Sequence, residues 1–436
     1  MNLTINTERL LRELHQLALL TDCPPTEDRS LPAPTQAVTR IVFTARDLEA
    51  RAWLKKRATD AGFAVREDAI GNTFLRWEGS EPALPAVATG SHTDAIPHAG
   101  MYDGTVGVLG GLEAMRSLQD AGFKPKRSIE TLMFTSEEPT RFGIGCIGSR
   151  LLGGVIDPVA ADALHDRLPE TDPTAPEGLT LQQVRNGAGF HGDLARVKLP
   201  HDYYGAWVEL HIEQGPLLER EGIQLGIVTG IAAPASYRYE VAGFGGHAGA
   251  LLMPDRRDAL CAAAEMILSV ERHALAANAT SGGVDTVATV GTVAVHPGAV
   301  NSVPSRVTLM LDIRDTDVTR RDGVMTAFHA DIAEIERRRG VKVTEELINA
   351  DDPAQSSPHI VDTLESVCNA EGATYKKMVS RAYHDSNFMA RVAPIAMIFI
   401  PCRAGVSHRP DEYSSPEAIA LGARVLALTL AKLAAE

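Results

Sequence analysis

Residues 90–113 read Gly90-Ser-His-Thr-Asp-Ala-Ile-Pro-His-Ala-Gly-Met-Tyr-Asp-Gly-Thr-Val-Gly-Val-Leu-Gly-Gly-Leu-Glu113 and follow an apolar run, Leu84–Thr89, that predicts a buried strand. His92 and Asp94 are two residues apart, so in extended backbone both side chains point to the same side. Asp103 follows in a glycine-bounded loop, just before a small-residue-rich helix. A His, a carboxylate that can orient it and a second carboxylate predict a metal site, although a polar strand-to-helix turn has the same residues.

The composition is that of a globular protein, with 436 residues, 44% hydrophobic and 22% charged. The excess of 56 acidic over 42 basic residues argues against nucleic acid or an anionic membrane as the main partner, although a local basic pocket could still hold a small anion. Five scattered cysteines without CxxC spacing indicate a reducing compartment. No run approaches the length of a membrane span, and the N-terminus predicts an amphipathic helix rather than a signal peptide. We therefore expect a cytoplasmic protein.

The order of predicted elements indicates two domains, one inserted in the other. Buried strands alternate with amphipathic helices up to about residue 231, which is an α/β pattern. Residues 232–349 then give strand-helix-strand-strand-helix-strand, the order of a ferredoxin-like α+β unit. The α/β elements resume in residues 350–436, so we predict an outer domain of residues 1–231 and 350–436. Residues 155–200 are rich in Pro, Asp and Gly and suggest no chemistry.

Four predicted strands of the outer domain each end in residues that bind metals. These residues are His92 with Asp94, Glu137 with Glu138, His211 and, after a short loop, His408. In open α/β sheets, sites form at the carboxyl ends of the strands. Imidazoles and carboxylates without a cysteine favour a pair of Zn²⁺ or Mn²⁺ ions over a structural site, and such a pair would acidify a water and stabilise an oxyanion. One residue of the Glu137–Glu138 pair would bind metal, and the other would carry the water's proton to a leaving nitrogen.

Motifs along nearly the whole chain resemble those of a known family. They are Gly90-Ser-His-Thr-Asp94, Tyr102-Asp-Gly104, Glu137-Glu-Pro-Thr-Arg-Phe-Gly143, Leu210-His-Ile-Glu-Gln-Gly215, Gly245-Gly-His-Ala-Gly249, Asp312-Ile-Arg314 and Ser407-His408. In this order they resemble the amidase branch of the dinuclear-metal aminoacylase and carboxypeptidase superfamily, which includes N-carbamoyl-L-amino acid, β-ureidopropionate, allantoate and ureidoglycolate amidohydrolases. The resemblance implies a mixed-sheet α/β/α dinuclear metallohydrolase domain, with residues 232–349 as an inserted ferredoxin-like lid and dimerisation domain.

The resemblance also implies a role for each site residue. Two divalent ions, Mn²⁺ or Zn²⁺ with Ni²⁺ or Co²⁺ possible, would share Asp103. The first ion would bind His92, Asp103 and His211, and the second would bind Asp103, Glu138 and His408. Asp94 would orient His92, and Glu137 would be the general base.

Five further positions match groups that hold substrate or the oxyanion in the family. They are Gln214, Asn301, Arg314 and His384 for substrate, and His247, which would act in the active site of the partner subunit of a homodimer. A guanidinium suits a carboxylate, but Arg314 could instead form a salt bridge with Asp312 or Asp315. His247 could be part of a Gly-rich turn, and His384 could be a core histidine.

The C-terminal part of the chain favours one branch of the family. Many relatives read Gly-His-Asp-Ala where this chain has Ala382-Tyr-His-Asp-Ser386, and Tyr383 would narrow the pocket and add a phenolic group. The segments 381–391, 398–402 and 412–417 are most similar to ureidoglycolate amidohydrolases. This implies hydrolysis of (S)-ureidoglycolate, a small ureido-carboxylate, to glyoxylate, ammonia and CO₂. An N-carbamoyl-L-amino acid, β-ureidopropionate or allantoate stays open as the substrate.

Two other functional classes fit the sequence less well. A metal-free binding module on this fold would have lost ligand positions, and all five are present in the sequence. A peptidase of the wider superfamily is disfavoured by the motif around His211, because relatives that act on peptides often have Asp at the third-ligand position.

Overall fold

The computed structural model describes residues 3–24, 35–168 and 178–436, so most of the predicted loop Asp22–Pro34 and part of the segment 155–200 lie outside the described residues. The helices are α1 (Thr7–Ala18), α2 (Ala45–Asp60), α3 (Thr105–Asp120), α4 (Ile147–Leu152), α5 (Pro158–Asp162), α6 (Leu181–Gly187), α7 (Leu217–Glu221), α8 (Ala259–Ser281), α9 (Val318–Arg339), α10 (Pro358–Glu371), α11 (Ser386–Met389) and α12 (Pro416–Ala435). The strands are β1 (Val38–Arg40), β2 (Ala64–Glu67), β3 (Thr73–Trp77), β4 (Ala86–His92), β5 (Ala95–Ala99), β6 (Ile129–Phe134), β7 (Tyr204–Ile212), β8 (Leu225–Ile231), β9 (Ala233–Ala242), β10 (Gly246–His247), β11 (Val287–His296), β12 (Ser302–Val303), β13 (Arg306–Asp315), β14 (Lys342–Ala350), β15 (Ala354–Gln355), β16 (Tyr375–Ser380) and β17 (Ile395–Ile400).

The chain divides into two compact units. The first unit comprises Met1–Thr229, Gln355–Met378 and His384–Glu436, and the second comprises Gly230–Ala354 and Val379–Tyr383. The second unit therefore interrupts the first. It also includes a short later segment, Val379–Tyr383, which the sequence patterns did not indicate.

A nine-stranded mixed sheet forms the centre of the first unit, in the order β15-β8-β17-β7-β4-β6-β3-β2 with β16 paired to β8. The four neighbouring strands β17, β7, β4 and β6 are parallel, whereas β8 and β3 pair with them antiparallel. Every residue of β4, β6 and β17 is buried, which is typical of parallel strands covered on both faces. The predicted mixed α/β fold is confirmed, and the carboxyl ends of the four central strands lie at one edge of the sheet.

Helix α3 packs very closely on this sheet because three of its residues have no side chain. A Cβ atom on Gly107 would lie 2.5 Å from the carbonyl oxygen of Leu210, and one on Gly111 would lie 2.9 Å from the side chains of Thr89 and Thr131. Larger residues would push the helix away from β4, β6 and β7. The glycines lower the helix propensity of α3, but they allow the helix to approach the sheet closely.

Helix α12 is long and apolar enough to cross a membrane by length and composition, so the prediction that no run reaches that length is wrong. Its side chains nevertheless belong to the core of the first unit: Ile419, Ala423, Leu426 and Leu430 are fully buried. They pack in the same cluster as residues of α3 and β17. Of its most apolar window, 61% is buried, as in the core helix of a globular domain.

The second unit contains a four-stranded antiparallel sheet in the order β11-β13-β9-β14. With α8 between β9 and β11, and α9 between β13 and β14, the order β9-α8-β11-β13-α9-β14 confirms the ferredoxin-like prediction. Residues of β13 alternate, so that Leu309, Leu311 and Ile313 pack with residues of α8 and α9 in the core. Asp312 and Arg314 therefore point to the opposite face of this sheet.

Candidate metal centre

Ligand-type side chains follow the carboxyl ends of all four parallel strands. β4 ends at His92, β7 contains His211 next to its last residue, β6 leads into Glu138 and β17 leads into the loop with His408. Among the described residues, three groups of side chains have ligand atoms within 4.8 Å of one another: one is Glu209, His211 and His384, and the other two contain only residues that were predicted as ligands. The first cluster is His92, Asp103 and His211, and the second cluster is Asp103, Glu138 and His408. The structure thus brings together all five residues that were predicted as metal ligands.

Asp103 belongs to both clusters because its two oxygen atoms face different partners. Oδ1 lies 3.2 Å from His211 Nε2 and 3.6 Å from His92 Nε2. Oδ2 lies 3.3 Å from His408 Nε2, which is also 3.3 Å from Glu138 Oε1. Burial raises the pKa of Asp103, but hydrogen bonds from the imidazoles outweigh it and hold the pKa well below its usual range. An ionised carboxylate with imidazole and carboxylate neighbours is a donor set that suits two divalent ions.

Backbone carbonyl groups set the tautomers of the two buried histidines. His92 Nδ1 lies 2.9 Å from the carbonyl oxygen of Asp94, and His211 Nδ1 lies 2.9 Å from that of Ile212. A carbonyl oxygen can only accept a hydrogen bond, so Nδ1 carries the proton in each ring. In a neutral ring Nε2 is then the atom that can bind a metal ion, and in both rings it lies on the side of Asp103. His211 Nε2 also accepts the backbone N–H of Gly104, at 3.2 Å.

The carboxylate of Asp94 has a different contact from the one predicted. It lies 3.7 Å from His92 Nδ1, which is too far for a hydrogen bond. Instead its oxygens accept the backbone N–H groups of Glu137 and Glu138, at 3.3 and 3.0 Å. Asp94 orients His92 through its backbone carbonyl group, and its carboxylate holds the turn that carries both glutamates.

Glu137 lies beside the first cluster and, among the described residues, is a member of neither cluster. Its Oε2 is 3.7 Å from His92 Nε2, and its Oε1 accepts a hydrogen bond from the thiol of Cys146 at 3.4 Å. Burial raises the pKa of Glu137 well above its usual value. Two bound cations would lower that pKa again, and a carboxylate in this environment can both take and return a proton.

Asp103 Oδ2 accepts two further hydrogen bonds, from the Gln214 amide at 2.6 Å and the Ser407 hydroxyl at 2.7 Å. The carboxylate of Glu412 is also close, since it accepts the backbone N–H groups of Tyr102 and Asp103 and lies 2.9 Å from Ser407 Oγ. Burial raises the pKa of Glu412 to about 7. Gln214 was predicted to bind substrate, and here its amide holds Asp103. Ser407 and Glu412 had no predicted role of their own.

His384 and Tyr383 are neighbours in sequence that belong to different units. The His384 ring is buried, with its centroid 4.6 Å from that of His211 and 5.7 Å from that of Phe399. This position matches the alternative of a core histidine, and contact with substrate stays a prediction. Within the second unit, the Tyr383 hydroxyl donates to Asp351 Oδ2 at 2.5 Å, so its phenolic group already has a partner there.

The second unit holds the other three predicted residues. His247 is exposed and pairs with Ser302 in the β10–β12 ladder, and the next residue of the chain donates its N–H to the carbonyl of Asn301 at 2.8 Å. The N–H of Gly249 donates to His247 Nδ1 at 3.1 Å, so a neutral ring carries its proton on Nε2. The Arg314 guanidinium is paired with Asp312, at 2.7 Å from Nε to Oδ1. This ion pair is the alternative that the sequence left open.

Comparison with known sequences gives a family and close relatives. A profile of Peptidase family M20/M25/M40 matches residues 88–432. A ureidoglycolate hydrolase of Oryza sativa subsp. japonica is 49% identical over 433 residues, which cover 98% of this chain and 85% of the relative. An N-carbamoyl-L-amino acid amidohydrolase of Geobacillus stearothermophilus is 37% identical over 402 residues, which cover 92% of this chain and 94% of the relative.

Solved structures agree with the sequence comparison. The crystal structure of AtUAH in complex with glyoxylate is 46% identical, with a TM-score of 0.84 and coverage of 100% of this chain and 99% of that one. The complex of AtUAH with (S)-hydroxyglycine is similar to the same degree.

Proposed function

Because this chain belongs to Peptidase family M20/M25/M40, we propose that it is a dinuclear metal-dependent amidohydrolase that acts on (S)-ureidoglycolate. The reaction cleaves the ureido C–N bond and leads to glyoxylate, ammonia and CO₂. The observation that carries this proposal is the pair of ligand clusters that share Asp103, with Glu137 beside them. The donor set contains only imidazole and carboxylate groups, which favours Mn²⁺ or Zn²⁺ and also admits Co²⁺ or Ni²⁺.

The residues of the site divide the chemistry between them. Two divalent ions, when bound, acidify a water molecule and stabilise negative charge on the carbamoyl oxygen. Glu137 takes the proton of the attacking water and passes it to the leaving nitrogen. The Nε2–H of His247 donates a hydrogen bond to the developing oxyanion, and Arg314 with Asn301 holds the substrate carboxylate. The carbamate and hydroxyglycine products then break down without further help from the protein.

The choice of substrate is supported by the relatives. The ureidoglycolate hydrolases are the most similar of the relatives compared above and match nearly the whole chain. AtUAH binds glyoxylate and (S)-hydroxyglycine in its crystal structures, and both are pieces of a ureidoglycolate molecule. The similarity to N-carbamoyl-L-amino acid and allantoate amidohydrolases is weaker, at 37% and 31% identity, and makes their substrates the second choice.

An ammonia-release assay separates these substrates. The protein, loaded with Mn²⁺, is given ureidoglycolate, allantoate, N-carbamoyl-β-alanine and several N-carbamoyl-L-amino acids, each with and without a chelator. We expect the highest kcat/KM for (S)-ureidoglycolate, and no turnover with the chelator. A higher kcat/KM for another compound of the panel would identify that compound as the preferred substrate. Turnover in the presence of the chelator would show that the reaction does not need a metal ion.

The second unit has a surface that suits a homodimer. The strand β11 forms an edge of its sheet, and an unpaired edge can pair with a second copy. On the neighbouring helix α8, the side chains of Leu268 and Leu275 are both 63% exposed, and Val293 on β11 is 42% exposed. Exposed apolar side chains of this size on two neighbouring elements favour a protein partner. We therefore include in the proposal a homodimer in which His247 serves the active site of the partner subunit.

Mixing two inactive variants tests the shared site. His247→Ala leaves the metal clusters of its own chain intact, whereas Glu137→Gln leaves His247 intact. After the two variants are unfolded and refolded together, about half of the dimers are mixed, and each mixed dimer has one complete site. We expect about a quarter of the wild-type activity to return. Activity that stays at the level of the separate variants would show that His247 acts in its own chain or not at all.

A further inference from the structure

Glu412 connects the two loops that carry Asp103 and His408. Its Oε1 accepts the backbone N–H groups of Tyr102 and Asp103, at 2.8 and 3.0 Å, and so fixes the loop before α3. Its Oε2 lies 2.9 Å from the hydroxyl of Ser407, the residue that precedes His408. The buried carboxylate of Glu412 therefore holds the backbone of Asp103 and the side chain of Ser407, the residue next to His408.

The surroundings of Glu412 leave it little freedom to move. It is fully buried, and a Cβ atom added to Gly100 would lie 2.3 Å from its Cβ atom. The Ser407 hydroxyl lies between two carboxylates, 2.7 Å from Asp103 Oδ2 and 2.9 Å from Glu412 Oε2. A hydroxyl group has one proton to donate, so Ser407 donates to one of the two carboxylates at a time and lies within hydrogen-bond distance of both.

The two clusters differ in how firmly their histidines are held. The side chains of His92 and His211 are only 4% and 1% exposed, and carbonyl groups at the ends of β4 and β7 fix their rings. His408 lies in a loop, its side chain is 46% exposed and its φ is +59°. Its position therefore depends on the loop that Ser407 and Glu412 attach to Asp103.

We propose that Ser407 and Glu412 are positioning residues that set the affinity of the second cluster for its divalent ion and leave that of the first cluster nearly unchanged. This inference rests on the proposed dinuclear site. Asp103 offers Oδ1 to the first cluster, whereas Ser407 bonds to Oδ2, which faces the second cluster. Removal of a group that holds a metal ligand commonly lowers metal affinity by about 10- to 100-fold.

Mn²⁺ binding to chelator-stripped protein tests the inference without any assay of activity. Free Mn²⁺ is counted by electron paramagnetic resonance during a titration. We expect two ions per wild-type chain, and in Ser407→Ala a first ion bound as in the wild type and a second bound about 10- to 100-fold more weakly. Glu412→Gln should weaken the same ion, and Ser407→Thr, which keeps the hydroxyl group, should restore it.

Glu213→Gln is the matched control, because Glu213 is also a buried glutamate whose oxygens accept two backbone N–H groups, those of Leu217 and Leu218. It should keep both ions. Wild-type affinity for both ions in Ser407→Ala and Glu412→Gln, or equal weakening of both ions, would overturn the inference. A wild-type protein that binds fewer than two ions would instead overturn the proposed dinuclear site, so the two failures can be told apart.

Discussion

Replacement of Glu137 by Gln should lower kcat by about 10²- to 10⁴-fold, which is the usual contribution of a general base. The side chain keeps its size, but the amide cannot take a proton from water. The two ligand clusters do not include Glu137, so the variant should still bind two ions and substrate. Steady-state kinetics on ureidoglycolate, together with metal analysis of the same sample, measures both effects.

The adjacent Glu138→Gln variant is the matched control for this prediction. It makes the same chemical change one residue further on, in a side chain that belongs to the second cluster. We expect it to weaken the binding of one ion, whereas Glu137→Gln should not. Near-normal kcat in Glu137→Gln would show that Glu137 is not the general base. Loss of an ion in that variant would show that Glu137 is a metal ligand.

Replacement of Asp103 by Ala should abolish the binding of both ions and lower kcat/KM by at least about 10⁴-fold, since several kcal/mol of charge stabilisation disappear with the metals. Asp103 is the only described residue that both clusters share. His408→Ala provides the comparison, because it removes a ligand of the second cluster only. Metal content after gel filtration should fall to none in Asp103→Ala and to one ion in His408→Ala.

Circular dichroism and thermal denaturation in chelator should show that both variants are folded. Asp103→Ala that retains one ion per chain would mean that the first cluster does not need its shared carboxylate. The dinuclear arrangement would then have to be described as two independent sites.

The positions of the metal ligands could be predicted from the sequence because the sequence shows where a buried strand ends. An apolar run followed by a ligand-type residue identifies the carboxyl end of a strand, and parallel neighbours bring these ends together. His92, His211 and His408 are predicted in this way. The ferredoxin-like unit was found from the order of its elements, which is also a local property of the chain.

Other parts of the site depend on contacts that leave no such pattern. The carboxylate of Asp94 accepts the backbone N–H groups of Glu137 and Glu138, which are separated from it by 43 and 44 positions in the sequence. Glu412 accepts the backbone N–H of Asp103 across a separation of 309 positions. Backbone N–H groups are the same in every residue, so the sequence does not indicate which of them a carboxylate will reach. For Arg314 the sequence indicates two partners and does not decide between them. Asp312 lies on the same face of β13, and its ion pair with Arg314 competes with the binding of a substrate carboxylate.

The position of β17 in the sheet also determines when the site can form as the chain folds. This strand lies between β8 and β7 but follows both in sequence, after the whole inserted unit. The first cluster needs no residue beyond His211, whereas the second must wait for His408 and for the closure of a loop of some 300 residues between Asp103 and Glu412. Contacts of such high sequence separation form late and slowly. We therefore expect the second ion to bind only after β17 has joined the sheet, and hence later in folding than the first.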